Sequence, residues 1–159
     1  MSITQSERPA ALEHITYEWW MLWEMAVWLD GHGGLRDAEY NAHVESAAIH
    51  LRNLSQFLAK PGDSRDIRPG DFGVEWSCSP ESEVELLATF ERASQRVAHP
   101  SRERLKPNPG FVLGDLMPMV DAEMVRWFAL VGHVPWTRYT ENQVQGVGVR
   151  RAEWHWRRR

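Results

Sequence analysis

Residues 37–59 read DAEYNAHVESAAIHLRNLSQFLA, and steps of three and four pick two rows out of that stretch. Tyr40, Val44, Ala47, Leu51, Leu54 and Leu58 form an apolar stripe, the pattern of a helix with one side against a core. Beside it run His43, Ser46, His50 and Asn53, polar side chains close enough to that core to need hydrogen-bond partners. Pro61-Gly62 follows and ends the helix. The long loop beyond it, or His99, is the expected source of those partners.

Upstream, the sequence predicts a helix from about Pro9 to Asp30, with Ser6 or Glu7 ahead of it and Pro9 suited to its first turn. Its core seam is Leu12, Ile15, Trp19, Leu22, Ala26 and Leu29. Trp20, Met21, Trp23, Met25, Val27 and Trp28 cover most of the remaining circumference, leaving Glu13, His14, Glu18 and Glu24 for water. A helix apolar on more than one side is central or shared between subunits, so a homodimer through this Trp-rich helix is expected. Gly31-His32-Gly33-Gly34 then makes a short turn, which should set the first two helices antiparallel.

Between residues 60 and 79 the periodicity dissolves into a segment rich in Pro, Gly and Asp, with Phe72 and Trp76 expected to pin it across the fold. A third helix opens at Ser79-Pro80, a cap followed by a first-turn proline, and buries Leu86, Leu87, Phe90, Ala93 and Val97 before Pro100 stops it. A fourth, from about Asp115 to Val131, buries Leu116, Val120, Met124, Trp127 and Val131. The expected fold is an all-α, antiparallel four-helix-type bundle over residues 1–131, with a long irregular loop between helices two and three. Residues 132–159 form a C-terminal extension whose last ten positions carry five Arg against one Glu.

Net charge is −4, and the basic residues crowd that tail, so the body is acidic and poorly suited to broad contact with nucleic acid. Together with Trp154 and Trp156, the tail arginines suit RNA or another acidic partner. Hydrophobic residues at 43% place the chain among folded domains. The most apolar segment, Trp19 to Leu29, is broken by Glu24 and too short to span a bilayer, and no secretory signal is visible, so the expected location is cytoplasmic. Cys78 is the only cysteine, which leaves no intrachain disulfide and no multi-cysteine metal site. The Glu-x-x-His pairs of di-iron bundles, the Walker phosphate loop, the Gly-x-Ser-x-Gly elbow and the His-Glu-x-x-His helix are all missing, and no cofactor is expected. A metal site assembled from separate helices would draw on His14, His50, His99 and Glu18, although no spacing calls for one.

Arg92, Arg96 and His99 share one side of the third helix. Arginine can hold a phosphate in a planar fork, and histidine can move a proton near neutral pH, which suits metal-free RNA cleavage. Arg92, six residues, then His99 resembles the Arg-x(4–6)-His motif of the HEPN superfamily, small helical bundles that include dimeric ribonucleases of toxin and defence systems; that motif usually has a polar residue after its arginine, where this chain has Ala93. The resemblance implies Arg92 and His99 as a catalytic pair, with Arg96 and Arg102 as phosphate contacts. Separately, ESAAIHLRNLSQF at Glu45 to Phe57, Asp71-Phe72, Trp76 and RVAH at Arg96 to His99 resemble a group of uncharacterised small bacterial helical proteins, which implies a bundle and no particular activity. The alternative to a nuclease is a noncatalytic bundle that binds a small ligand or acts as a scaffold, with His43, Ser46, His50, Asn53 and Trp76 lining the ligand site.

Overall fold

In the computed structural model the described residues form four α-helices and one short 3-10 turn, with no strand among them. The structure describes residues 3–32, 38–60, 62–63, 65–95 and 113–133, with the side chains of 114 and 115 left out. The helices are α1 (Arg8–Gly31), α2 (Ala38–Ala59), α3 (Pro80–Ala93) and α4 (Leu113–Val131), with the 3-10 turn at Pro69–Phe72 between α2 and α3. Residues 96–112 and 134–159 lie outside the described residues. So do Arg96, His99, Arg102 and the Arg/Trp tail.

The periodicity of the sequence explains which faces are buried. Ile15, Trp19, Leu22, Ala26 and Leu29 of α1 meet Ala47, Leu51, Leu54 and Leu58 of α2 in one core, joined by Leu116, Val120, Met124 and Trp127 of α4. Leu12, Tyr40 and Val44 reach this core only partly buried. From α3 comes Leu86, whereas Leu87 is half-buried. Trp127 is the hub. Phe57 and Phe72 each present an edge to its ring, at 4.8 and 5.0 Å between centroids, and Trp19 reaches α4 at Phe128.

The direction of the contacts follows from named pairs. Trp28 meets Tyr40 and His43, while Glu18, earlier on α1, meets His50 and Asn53, later on α2. Trp19 packs on Phe128, and Trp23 donates through Nε1 to Asp121 at 3.2 Å, so partners descend α4 as α1 is climbed. Lys60 and Arg52 both reach Phe90, and Arg52 also bonds Ser94.

Local signals set the helix ends. Ser79 caps α3 by accepting from the Ser82 backbone N–H at 3.2 Å, with Pro80 in the first turn. The last residues described after α3, Ser94 and Gln95, continue in a widened π-type turn. At the start of α1, Glu7 turns its carboxylate back to the backbone and hydroxyl of Thr4 rather than capping the helix. Gly73 follows the 3-10 turn with φ +81°, a left-handed conformation that costs a residue bearing a Cβ.

Candidate functional site

His99, one partner the sequence reading offers the polar row on α2, lies outside the described residues, and His50 and Asn53 of that row bond α1 rather than the long loop. Their anchor is Glu18 of α1, one of the residues assigned to water, and only 6% of it is exposed. His50, itself 9% exposed, bonds Glu18 Oε2 through Nδ1 at 2.8 Å, and Asn53 Nδ2 donates to the same oxygen at 3.1 Å. His14 approaches Oε1 at 3.7 Å from the previous turn of α1. The edge of Tyr17 rests on the His50 ring, 6.1 Å between centroids. A carboxylate among Trp and Leu must be compensated when it is buried, and three side chains crowd this one.

Its protonation reflects that balance. Burial pushes the Glu18 carboxyl upward, but hydrogen bonds from His50 and Asn53, with the charges of His50 and His14, outweigh it and hold the group below the usual carboxylate range. With Glu18 ionised, its carboxylate oxygen can only accept, so His50 Nδ1 is the donor of this bond. The His50 Nε2 atom has no hydrogen-bond partner among the described residues.

The remaining members of the row do other things. His43 lies flat against Trp28, 3.7 Å between centroids and 8° between planes, and His32 covers the opposite face of the same indole at 4.0 Å and 9°. Each imidazole bonds a backbone carbonyl through Nδ1, His43 to Glu39 and His32 to Trp28. Ser46 is half-buried on the same flank of α2. The row therefore splits: His50 and Asn53 join Glu18, and His43 packs on Trp28 near the end of α1.

Trp76 serves the end of α2. Its Nε1 donates to the carbonyl of Leu58 at 2.9 Å, and the Cys78 thiol donates to the same carbonyl at 3.3 Å. Arg126 of α4 stacks on the Trp76 ring at 4.3 Å, bonds the carbonyl of Ser77 and pairs with the buried Glu123. Glu123 Oε1 accepts from the backbone of Ser79 at 3.1 Å, tying α4 to the start of α3. Burial and the neighbouring Glu123 charge push the Cys78 thiol up to about 12, so it is not a poised nucleophile.

Arg92 pairs with Glu85 two turns back on α3 at 3.7 Å, and 31% of its side chain is exposed. Two residues later, Ser94 accepts from Arg52 Nε at 2.8 Å, and Arg52 Nη1 reaches Asn53 Oδ1 at 3.2 Å. Arg52 thereby links α3 to the Glu18 cluster. Among the described residues, no three His, Cys, Asp or Glu side chains are arranged to hold a metal ion, and no helix is long and apolar enough to cross a membrane.

No family model matches the sequence, and comparison with curated proteins and with solved structures yields no match. Function has to be argued from the residues.

Two of these elements escaped the sequence reading. Glu18 looked solvent-facing because its neighbours in the heptad, His14 and Glu24, are polar; its distance of three residues from Ile15 and four from Leu22 was the available signal. Nothing in the spacing of either helix names Ser94 as the acceptor of Arg52.

Proposed function

We propose that this chain is an antiparallel four-helix-type bundle acting as a noncatalytic binding or scaffold module that self-associates as a homodimer in the cytoplasm. The observation that carries the reading is the Glu18 cluster: the side chains best placed for chemistry, His50 and Asn53, are spent holding a buried carboxylate between α1 and α2. The bundle topology is supported by the reversed order of contacts between α1 and α2 and between α1 and α4. Exposed Val125 and Leu130 on α4 supply apolar surface for association, and the C-terminal arginines suit an RNA or acidic partner.

A second reading, the HEPN-like metal-independent endoribonuclease, is favoured by Arg92 lying two residues before Ser94, the acceptor of Arg52, at the end of α3. In it, His99 exchanges the proton, Arg92 steadies the scissile phosphate, and Arg96 and Arg102 hold flanking phosphates. One assay separates the two. Single-stranded RNA is incubated with the wild type, Arg92→Ala and His99→Ala in the presence of a chelator. Under the scaffold reading the three preparations leave the RNA equally intact; cleavage by the wild type that both substitutions abolish replaces that reading with the nuclease. Light scattering over a concentration series tests the dimer, and a monomer throughout removes it.

A further inference from the structure

We infer that Arg52 and Lys60 form a binding site for a phosphate group on the seam between α2 and α3, a reading that goes beyond the scaffold proposal and does not depend on it. Phe90, buried on α3, has two cations over its ring: the Arg52 guanidinium carbon 4.8 Å from the centroid and the Lys60 ammonium 3.6 Å from it. The two positive charges therefore stand within about 8 Å of each other, as the two ring distances together allow. Among the described residues neither makes an ion pair. Of the carboxylates on α1 and α3, Glu85 pairs with Arg92, and Glu18 is held by His50 and Asn53.

The hydrogen bonds of Arg52 sharpen the point. Its two acceptors, Ser94 Oγ and Asn53 Oδ1, are both neutral, so they fix the guanidinium in place without cancelling its charge. Among the described residues Nη2 has no acceptor, nor has the Lys60 ammonium, so both can donate to a ligand. The ring quadrupole attracts both cations, but it does not neutralise them. Like charges held this close favour any anion that can settle between them.

A phosphate group fits this arrangement better than a carboxylate. It brings up to two negative charges against two cations, and its terminal oxygens point apart, so each cation can take a different oxygen in hydrogen bonds of about 2.8 Å. The same chemistry is presented by a free phosphate, by a phosphorylated small molecule and by the backbone of RNA, and the experiment has an arm for each end of that range.

The test uses the full chain and two probes, inorganic phosphate followed by thermal shift against chloride at matched ionic strength, and a labelled short single-stranded RNA followed by fluorescence anisotropy. Lys60→Gln, one residue past the end of α2, is the informative variant. Arg126→Gln removes a cation already neutralised by Glu123, and Arg52→Lys keeps the charge while losing the fork that Ser94 and Asn53 hold. At least one probe binds the wild type; Lys60→Gln weakens that binding about tenfold, and Arg126→Gln leaves it within twofold. Arg52→Lys folds and binds several-fold more weakly. Binding of phosphate assigns the site to small phosphorylated ligands, whereas binding of RNA alone, with a salt slope reduced by about one in Lys60→Gln, assigns it to a nucleic-acid backbone. Failure of both probes to bind overturns the inference, as does a Lys60→Gln variant with unchanged affinity or an Arg126→Gln variant with an equal loss.

Discussion

Replacing Glu18 by Gln keeps the shape of the side chain and removes its charge, so it isolates what the buried carboxylate contributes. In the native protein His50 and Asn53 both donate to Oε2, at 2.8 and 3.1 Å. A hydrogen bond to a charged acceptor contributes about 1.5–3 kcal/mol and one between neutral groups about 1 kcal/mol. Converting both bonds, with part of the loss recovered because a neutral amide is less costly to bury, predicts destabilisation of about 2 kcal/mol at pH 7. For a chain of this size that is a fall in Tm of roughly 4–8 °C. The pH dependence adds a second requirement. Because the folded state holds the Glu18 carboxyl below its ordinary value, the stabilisation is present above the unfolded pKa and is lost as pH falls through the folded one. Calorimetry of wild type and Glu18→Gln between pH 7 and pH 3 should therefore show two melting curves far apart near neutrality and converging in acid. Equal Tm values at pH 7, or a gap that stays constant down to pH 3, would refute the argument that an ionised Glu18 holds α1 to α2.

The Cys78 thiol, pushed up to about 12, should react with iodoacetamide at pH 8 far more slowly in the native chain than in urea, and equal rates would show that the thiol is not held against the Leu58 carbonyl. Ser79→Ala removes the cap of α3 and should cost about 1 kcal/mol in urea denaturation, with Ser79→Asp restoring most of it; no loss would mean that Pro80 alone sets the helix start. Trp127→Ala empties the centre of the Phe57, Phe72 and Phe128 cluster and should cost about 3–5 kcal/mol, a loss visible as a large drop in denaturation midpoint.

Fold class was legible because burial obeys periodicity. The row from Ala47 to Leu58 and the seam from Ile15 to Leu29 needed only the helical repeat, and Ser79-Pro80 marked a helix start by the chemistry of capping. The first helix was harder, since a segment apolar almost all round does not declare which of its sides faces solvent. On that helix the structure covers Trp28 with His32 and His43, and Trp23 hydrogen-bonds Asp121, so part of the apolar surface that suggested a partner is used within the chain. The candidate site was legible by half. His50 and Asn53 could be recognised as needing partners, but hydrogen bonds between helices depend on rotation and axial shift, which the sequence of either helix alone does not specify. Glu18, Ser94 and Phe90 became meaningful only when three helices were placed together.

The hydrogen bond from Trp23 to Asp121 joins residues 98 positions apart, and the Trp19 contact with Phe128 closes a loop of similar length. By contrast, the stack of His32, Trp28 and His43 joins residues no more than 15 positions apart. Closing the long loop carries the larger entropic penalty, and slow steps in folding track contacts of that kind. On a ribosome, the pair of α1 and α2 can assemble as soon as it emerges, yet its core side, with Trp19 and Phe57 awaiting Phe128 and Trp127, stays bare until α4 has been synthesised. For that interval the nascent chain carries a sticky half-core, which makes the early helical pair a natural client for chaperones and gives α4 the role of the final latch.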